Sequence, residues 1–200
     1  MMKVESTKLN IGCGYRKLND HWNVDSESKC NPDQVMDLEI TPWPYEDDSF
    51  ERITAHHILE HLGQDPKVFL SILKEMYRVS SDGAEWHVEV PHHRCDIAWD
   101  DFTHVRVITA KAFKMFDQKH NYEIIERGFG ESTFGIHNDM DLEVVDVNYD
   151  IVSFWQQQLN DGMLGSAELN VKLNTLNNVA ETVSIFIKVH KPGRFEHLIK

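Results

Sequence analysis

An apolar run that ends in two glycines one residue apart, "KLNIGCG" at residues 8–14, constrains this chain more than any other stretch. It predicts a strand that stops in a tight turn, with Gly12 and Gly14 free to adopt conformations closed to other residues and to let a ligand approach the main chain. A polar stretch follows, then a second short apolar run, "WNVD", ending in Asp25. Strand, glycine turn, connection and a strand ending in an acid is the opening of a nucleotide-binding parallel sheet. The dinucleotide form of that opening has a third glycine where this chain has Lys17, and its ribose-binding acid comes about 20 residues on, farther than Asp25. A pyrophosphate cofactor is therefore disfavoured, and nicotinamide oxidoreductase chemistry with it. Spacing alone leaves Asp25 two readings: an acceptor for both ribose hydroxyls, or a solvated loop acid or helix cap.

The rest of the chain continues the alternation. Strands are expected at Lys8 to Cys13, Trp22 to Asp25, Gln34 to Leu38, Arg52 to His56, Trp86 to Val90, Leu142 to Tyr149 and Val183 to Val189. The clearest helix lies in "QDPKVFLSILKEMYRVS", where Asp65 caps, Pro66 takes the first position, and Phe69, Ile72, Leu73 and Met76 share a core-facing stripe. A second helix is expected in "TAKAFKMFDQKH", whereas residues 153–178 read as broken helix and loop of uncertain register. The sum is an α/β sandwich with a mostly parallel sheet, whose ligands bind beyond the carboxyl ends of the strands. His87 and Glu89 are awkward in a strand covered on both faces, so either that strand is partly exposed or they line a polar cleft.

Two hundred residues with 41% hydrophobic and 26% charged side chains suit one domain with a full core, expected to span 1–200. No apolar run approaches the length of a membrane span, and "MMKVESTK" has no signal-peptide core, so a cytoplasmic protein is expected. Cys13, Cys30 and Cys95 are too few and too irregular for a disulfide framework. A net charge of -13 disfavours nucleic-acid partners, which demand phosphate neutralisation. Oligomeric state leaves no sequence signal.

At this point the chain resembles the class I S-adenosylmethionine-dependent methyltransferases of the small type 11 group. The resemblance rests on ordered blocks: "LNIGCG" (9–14), "NVD" (23–25), "VMDLE" (35–39), "PYEDDSFERI" (44–53), "HILEHL" (57–62), "KEMYRVSSDGAEWHVEVP" (74–91) and "DDFTHVR" (100–106). It implies a Rossmann-like methyltransferase sandwich: a seven-stranded, mostly parallel sheet with an antiparallel C-terminal strand and helices on both faces. It also implies a cofactor-binding half over about 8–117 and variable acceptor-side elements at about 92–110 and 130–180. S-adenosyl-L-methionine would be the cofactor and S-adenosyl-L-homocysteine the product. Asn10, Gly12, Cys13, Gly14 and Tyr15 would form the loop at its methionine and ribose, Asp25 would bind the ribose hydroxyls, Asp37 and Leu38 would flank the adenine, and His56 would lie near the methionine end. A nucleoside without phosphates explains why the third glycine is dispensable. The chain departs from the resemblance at Asn10, where an acid is usual, and at "SDGA" (81–84) in place of Lys-Pro-Gly-Gly.

Methyl transfer from a sulfonium needs alignment and exclusion of water above all, and a hydroxyl or ammonium acceptor also needs a base. Twelve histidines, many placed just after expected strands, supply candidates: His92, His93 and His104, with Asp100 or Asp101 to orient one of them. His61, paired with Glu60, reads as structural. His57 and His61 have the spacing of one helical face, but HExxH is absent and "HHRCDIAWDD" has no regular ligand spacing, so no metal is expected. The acceptor is expected to be a small molecule or a sugar-containing metabolite, with Trp99, Phe102, Phe134 and Trp155 either lining its pocket or packing the core. The alternative is an inactive cofactor-binding module acting as a partner subunit.

Overall fold

The computed structural model describes residues 4–195. The expected span of 1–200 therefore includes short termini that lie outside the described residues. Seven strands form one sheet in the order β3-β2-β1-β4-β5-β7-β6. They are β1 (Lys8–Ile11), β2 (Trp22–Asp25), β3 (Gln34–Val35), β4 (Phe50–His56), β5 (Ser80–Pro91), β6 (Leu142–Ile151) and β7 (Ala180–Val189). The first five are mutually parallel, and β7 runs antiparallel to both β5 and β6. The Rossmann-like methyltransferase sheet is present, with its reversed last strand.

Among the described residues seven α-helices accompany it: α1 (Pro66–Val79), α2 (Ile97–Asp100), α3 (Ala110–Lys114), α4 (Gln118–Glu126), α5 (Phe134–His137), α6 (Ser153–Asn160) and α7 (Ser166–Thr175). The start of α1 is as its sequence dictates: the Asp65 side chain accepts the Lys67 N–H and Pro66 opens the first turn. Its Ile72, Leu73 and Met76 join Leu9, Ile53, Trp86 and Ile185 in the main core. The helix expected across 109–120 is two. Asp117 accepts the His120 N–H and caps a new helix, so α3 stops and α4 begins. Residues 153–178 resolve into α6 and α7, which bury Leu164, Leu169 and Leu173 in a second, smaller cluster with Ile151 and Ala180. No helix among the described residues is long and apolar enough to cross a membrane.

The two faces of the sheet differ. Leu9, Ile53, Trp86, Val88, Ile185 and Ile187 point into the core. Their neighbours Asn10, Thr54, His87, Phe186 and Asp146 form a row across the other face. There the β1–β2 connection contains no helix; it lies over β1 and β4 as turns, with His21 Nε2 3.3 Å from Thr54 Oγ1. Past it, a groove of about 720 Å³ exposes His56, His87, Asp146 and Phe186. Both sequence readings of β5 therefore hold: the strand is open on one face, and its polar groups line a cleft.

Candidate functional site

The carboxyl ends of β1, β2 and β3 lie side by side. Gly12 and Gly14 leave β1 with φ of 60° and 48°, the left-handed region that side chains resist. A Cβ on Gly12 would overlap the Ile58 side chain, so the turn is wedged against the loop after β4. The Gly14 N–H donates to Asp25 Oδ2 at 2.7 Å and the Glu27 N–H to Oδ1 at 2.8 Å, which fixes the carboxylate while leaving each oxygen a further lone pair. The Met36 N–H donates to the Asp25 carbonyl at 2.9 Å, bringing Asp37 alongside. Asp37 is exposed and caps its own turn through the Glu39 N–H at 2.9 Å, while Leu38 is buried.

Below this rim, Asn10 is buried and donates to Asn23 Oδ1 and the Arg16 carbonyl, tying the connection to the sheet. Burial, reinforced by the negative charge of Asp25, pushes the Cys13 thiol up to about 11, so it remains a neutral, apolar floor. Tyr15, Val35 and Ile40 leave large apolar surfaces exposed around the same strand ends, at 82%, 57% and 69%. A rim of fixed acceptors beside uncovered apolar surface fits a nucleoside: polar sugar on one side, flat base on the other.

Beyond β4 and β5 the groups are ionisable. His56 Nε2 lies 3.0 Å from His87 Nδ1, and burial holds both rings below the ordinary histidine range. His57, at φ 51°, stands 3.3 Å from Glu60 and 3.2 Å from Glu89. The Glu60 carboxylate, outweighing burial, holds His57 above its ordinary value. With Arg16, His57 and Glu89 line a cleft of about 460 Å³. His57 also borders a second cleft, of about 560 Å³, with Glu60, His61, Phe102 and His104.

The structure separates the three histidines nominated for proton transfer. His92 is 3% exposed, lies against His93 and Tyr149, and is held at about 4 by burial and by its cationic neighbours. His93 is exposed on the turn after β5. His104 lies in the second cleft, its ring 4.6 Å from that of His61. Asp101 reaches a histidine outside the nominated three, and indirectly: it accepts from the Thr103 hydroxyl at 2.7 Å, and that hydroxyl lies 2.8 Å from His61 Nδ1. His57 and His61 do not share an α-helical face, because the segment between them is a single 3₁₀ turn, Leu59–His61. Of the four aromatics, Phe102 lines the second cleft and Phe134 a separate apolar cavity of about 380 Å³. Trp155 packs with α7 residues.

Sequence did not single out Arg16, gave Glu60 only as the structural partner of His61, and left Glu89 on a strand either partly exposed or lining a polar cleft. The available signal was an acid inside an apolar stretch, as in "HILEHL" and "WHVEVP".

Neither a protein-family profile nor a curated protein matches the chain. Solved structures do. A SAM-dependent methyltransferase from Archaeoglobus fulgidus superposes with a TM-score of 0.52 at 16% identity, covering 90% of this chain and 85% of that one. The YcgJ protein from Bacillus subtilis gives 0.52 at 12% identity, covering 92% and 91%. At these identities the likeness is one of fold, and it is the class I methyltransferase fold that the sequence blocks implied.

Proposed function

We propose that this chain binds S-adenosylmethionine across the ends of β1–β3 and transfers its methyl group to a small or sugar-containing acceptor held beyond β4 and β5. The observation that carries the reading is the Asp25 carboxylate, fixed by the Gly14 N–H at the meeting of three strand ends and still able to accept from ribose. The cofactor supplies a methyl group on a sulfonium, a leaving group that needs no further activation.

The chain's part is to hold and align. Asp25 receives the ribose hydroxyls, Asp37 and Leu38 border the adenine, and Gly14 leaves room above the main chain while Gly12 lets the turn pack against Ile58. His56 flanks the methionine end, where Arg16 offers the cation for its carboxylate. The acceptor enters through the clefts beside His57. Where it must lose a proton, His93 and His104 are the open candidates; His92 is enclosed and a weak base.

Calorimetry with S-adenosylhomocysteine tests the reading. The wild type should bind one equivalent, and Asp25→Asn, which keeps an acceptor for Gly14 but loses the charge, should bind about tenfold or more weakly. No heat at about millimolar ligand would remove the proposal. Binding without turnover on any acceptor would instead identify an inactive module serving as a partner subunit.

A further inference from the structure

Glu60 poses a problem that methyl transfer does not solve. Its side chain is 3% exposed, yet neither carboxylate oxygen receives a hydrogen bond. Among the described residues its ion-pair partner is His57, whose Nδ1 lies 3.3 Å from Oε1. His57, held above its ordinary value by this carboxylate, offers one charge from the side, and a buried carboxylate with both oxygens free of hydrogen bonds still has lone pairs open to a further cation.

The neighbouring rings are prepared for one. His104 Nδ1 lies 3.1 Å from the Ala98 carbonyl, an oxygen that only accepts, so the proton sits on Nδ1. The Thr103 hydroxyl spends its proton on Asp101 and can therefore only accept from His61 Nδ1. Both rings are thus held in the tautomer with a bare Nε2, by the outer hydrogen bonds that orient metal-binding histidines. One ring nitrogen of each and a Glu60 oxygen lie within 4.8 Å of one another. A tetrahedral ion needs its donors roughly 3.4 Å apart, a closure within the reach of side-chain rotation. One backbone and one side-chain bond hold the two segments together: the Val105 N–H donates to the Glu60 carbonyl at 2.9 Å and Arg106 Nε to the Leu62 carbonyl at 3.0 Å.

We propose that Glu60, His61 and His104 bind a divalent first-row transition ion, with zinc the best match to two imidazoles and one carboxylate. Three protein donors leave coordination open, and all three line the cleft of about 560 Å³. The ion is therefore positioned to take an oxygen of a ligand in that cleft. His104 is then withdrawn from proton transfer, which leaves His93. The site joins the adjacent pair Glu60 and His61 to His104, which is distant in sequence, so no spacing motif announces it.

The test uses untagged full-length protein, stripped with a chelator and titrated with Zn²⁺ by calorimetry and with Co²⁺ by visible absorption. One equivalent should bind with a Kd at or below about 1 µM, Co²⁺ should develop ligand-field bands, and Zn²⁺ should raise the melting temperature. Glu60→Gln and His104→Ala should each weaken binding at least about tenfold and abolish the bands. His87→Ala should change neither, because His56, His87 and Glu89 form a second cluster of potential ligands. The proposal is overturned by unsaturable binding in the wild type, by unchanged affinity in folded His104→Ala, or by loss of the site in His87→Ala. The readout requires no methyl transfer, so the outcome is independent of S-adenosylhomocysteine binding.

Discussion

Single residues at this site carry conformational as well as chemical information. Gly12 has a positive φ and no room for a Cβ beside Ile58; Gly14 has a positive φ but open space around it. Gly12→Ala should therefore lose about 2–4 kcal/mol, combining left-handed strain with overpacking, and Gly14→Ala only about 1–2. Urea titration of the two variants checks the order; equal losses would mean the Ile58 wedge gives way. Much at this scale was legible. The glycine pair and Asp25 announce themselves by residue type and offset, because their role is local geometry at a strand end. Glu60 with His104 was not legible, since that contact depends on how the loop after β5 folds back onto the turn after β4.

At the scale of elements, side chains replace missing secondary structure. The connection from β3 to β4 forms no helix and hangs on α1: Glu75 accepts the Trp43 N–H at 2.6 Å, while Arg78 donates to the Trp43 and Tyr45 carbonyls. A similar clamp closes the C-terminal end. Arg194 donates through Nε and Nη2 to both oxygens of fully buried Asp141, and the Gln118 N–H donates to the same carboxylate. Burial alone would raise Asp141, but the bonds from Arg194 and these N–H groups outweigh it, so the pKa is lowered. Removing one partner of such a pair leaves a stranded charge, and Arg194→Ala should lose about 3 kcal/mol. The sign of the pH effect follows. A carboxyl depressed in the fold stabilises at pH values above its unfolded pKa of about 3.9, and that stability is lost as pH falls toward the folded value. Wild type should therefore lose stability below about pH 4 more steeply than Arg194→Ala, as measured by denaturation midpoints against pH. Element boundaries were readable where a capping residue marks them, as at Asp65. The merged reading of α3 and α4 overlooked that Asp117 is itself such a residue.

On the scale of the whole molecule, a mostly parallel sheet was accessible because strand and crossover alternate in the sequence and such sheets accept few arrangements. The cladding was not. A turn-only connection between β1 and β2 and a helical one have the same apolar ends, and the difference appears only when Asn10, Asn23 and Thr54 are seen to bind turns. The half-clad sheet has an evolutionary corollary. Along β5 and β7, saturation mutagenesis scored by folded yield should trace a comb: intolerance at Trp86, Val88, Ile185 and Ile187, and latitude at Glu85, Ser184 and Lys188. Where β5 and β7 leave that face open, the chain keeps alternate positions free to drift, so new surface chemistry can accumulate there while the packed layer beneath stays unchanged.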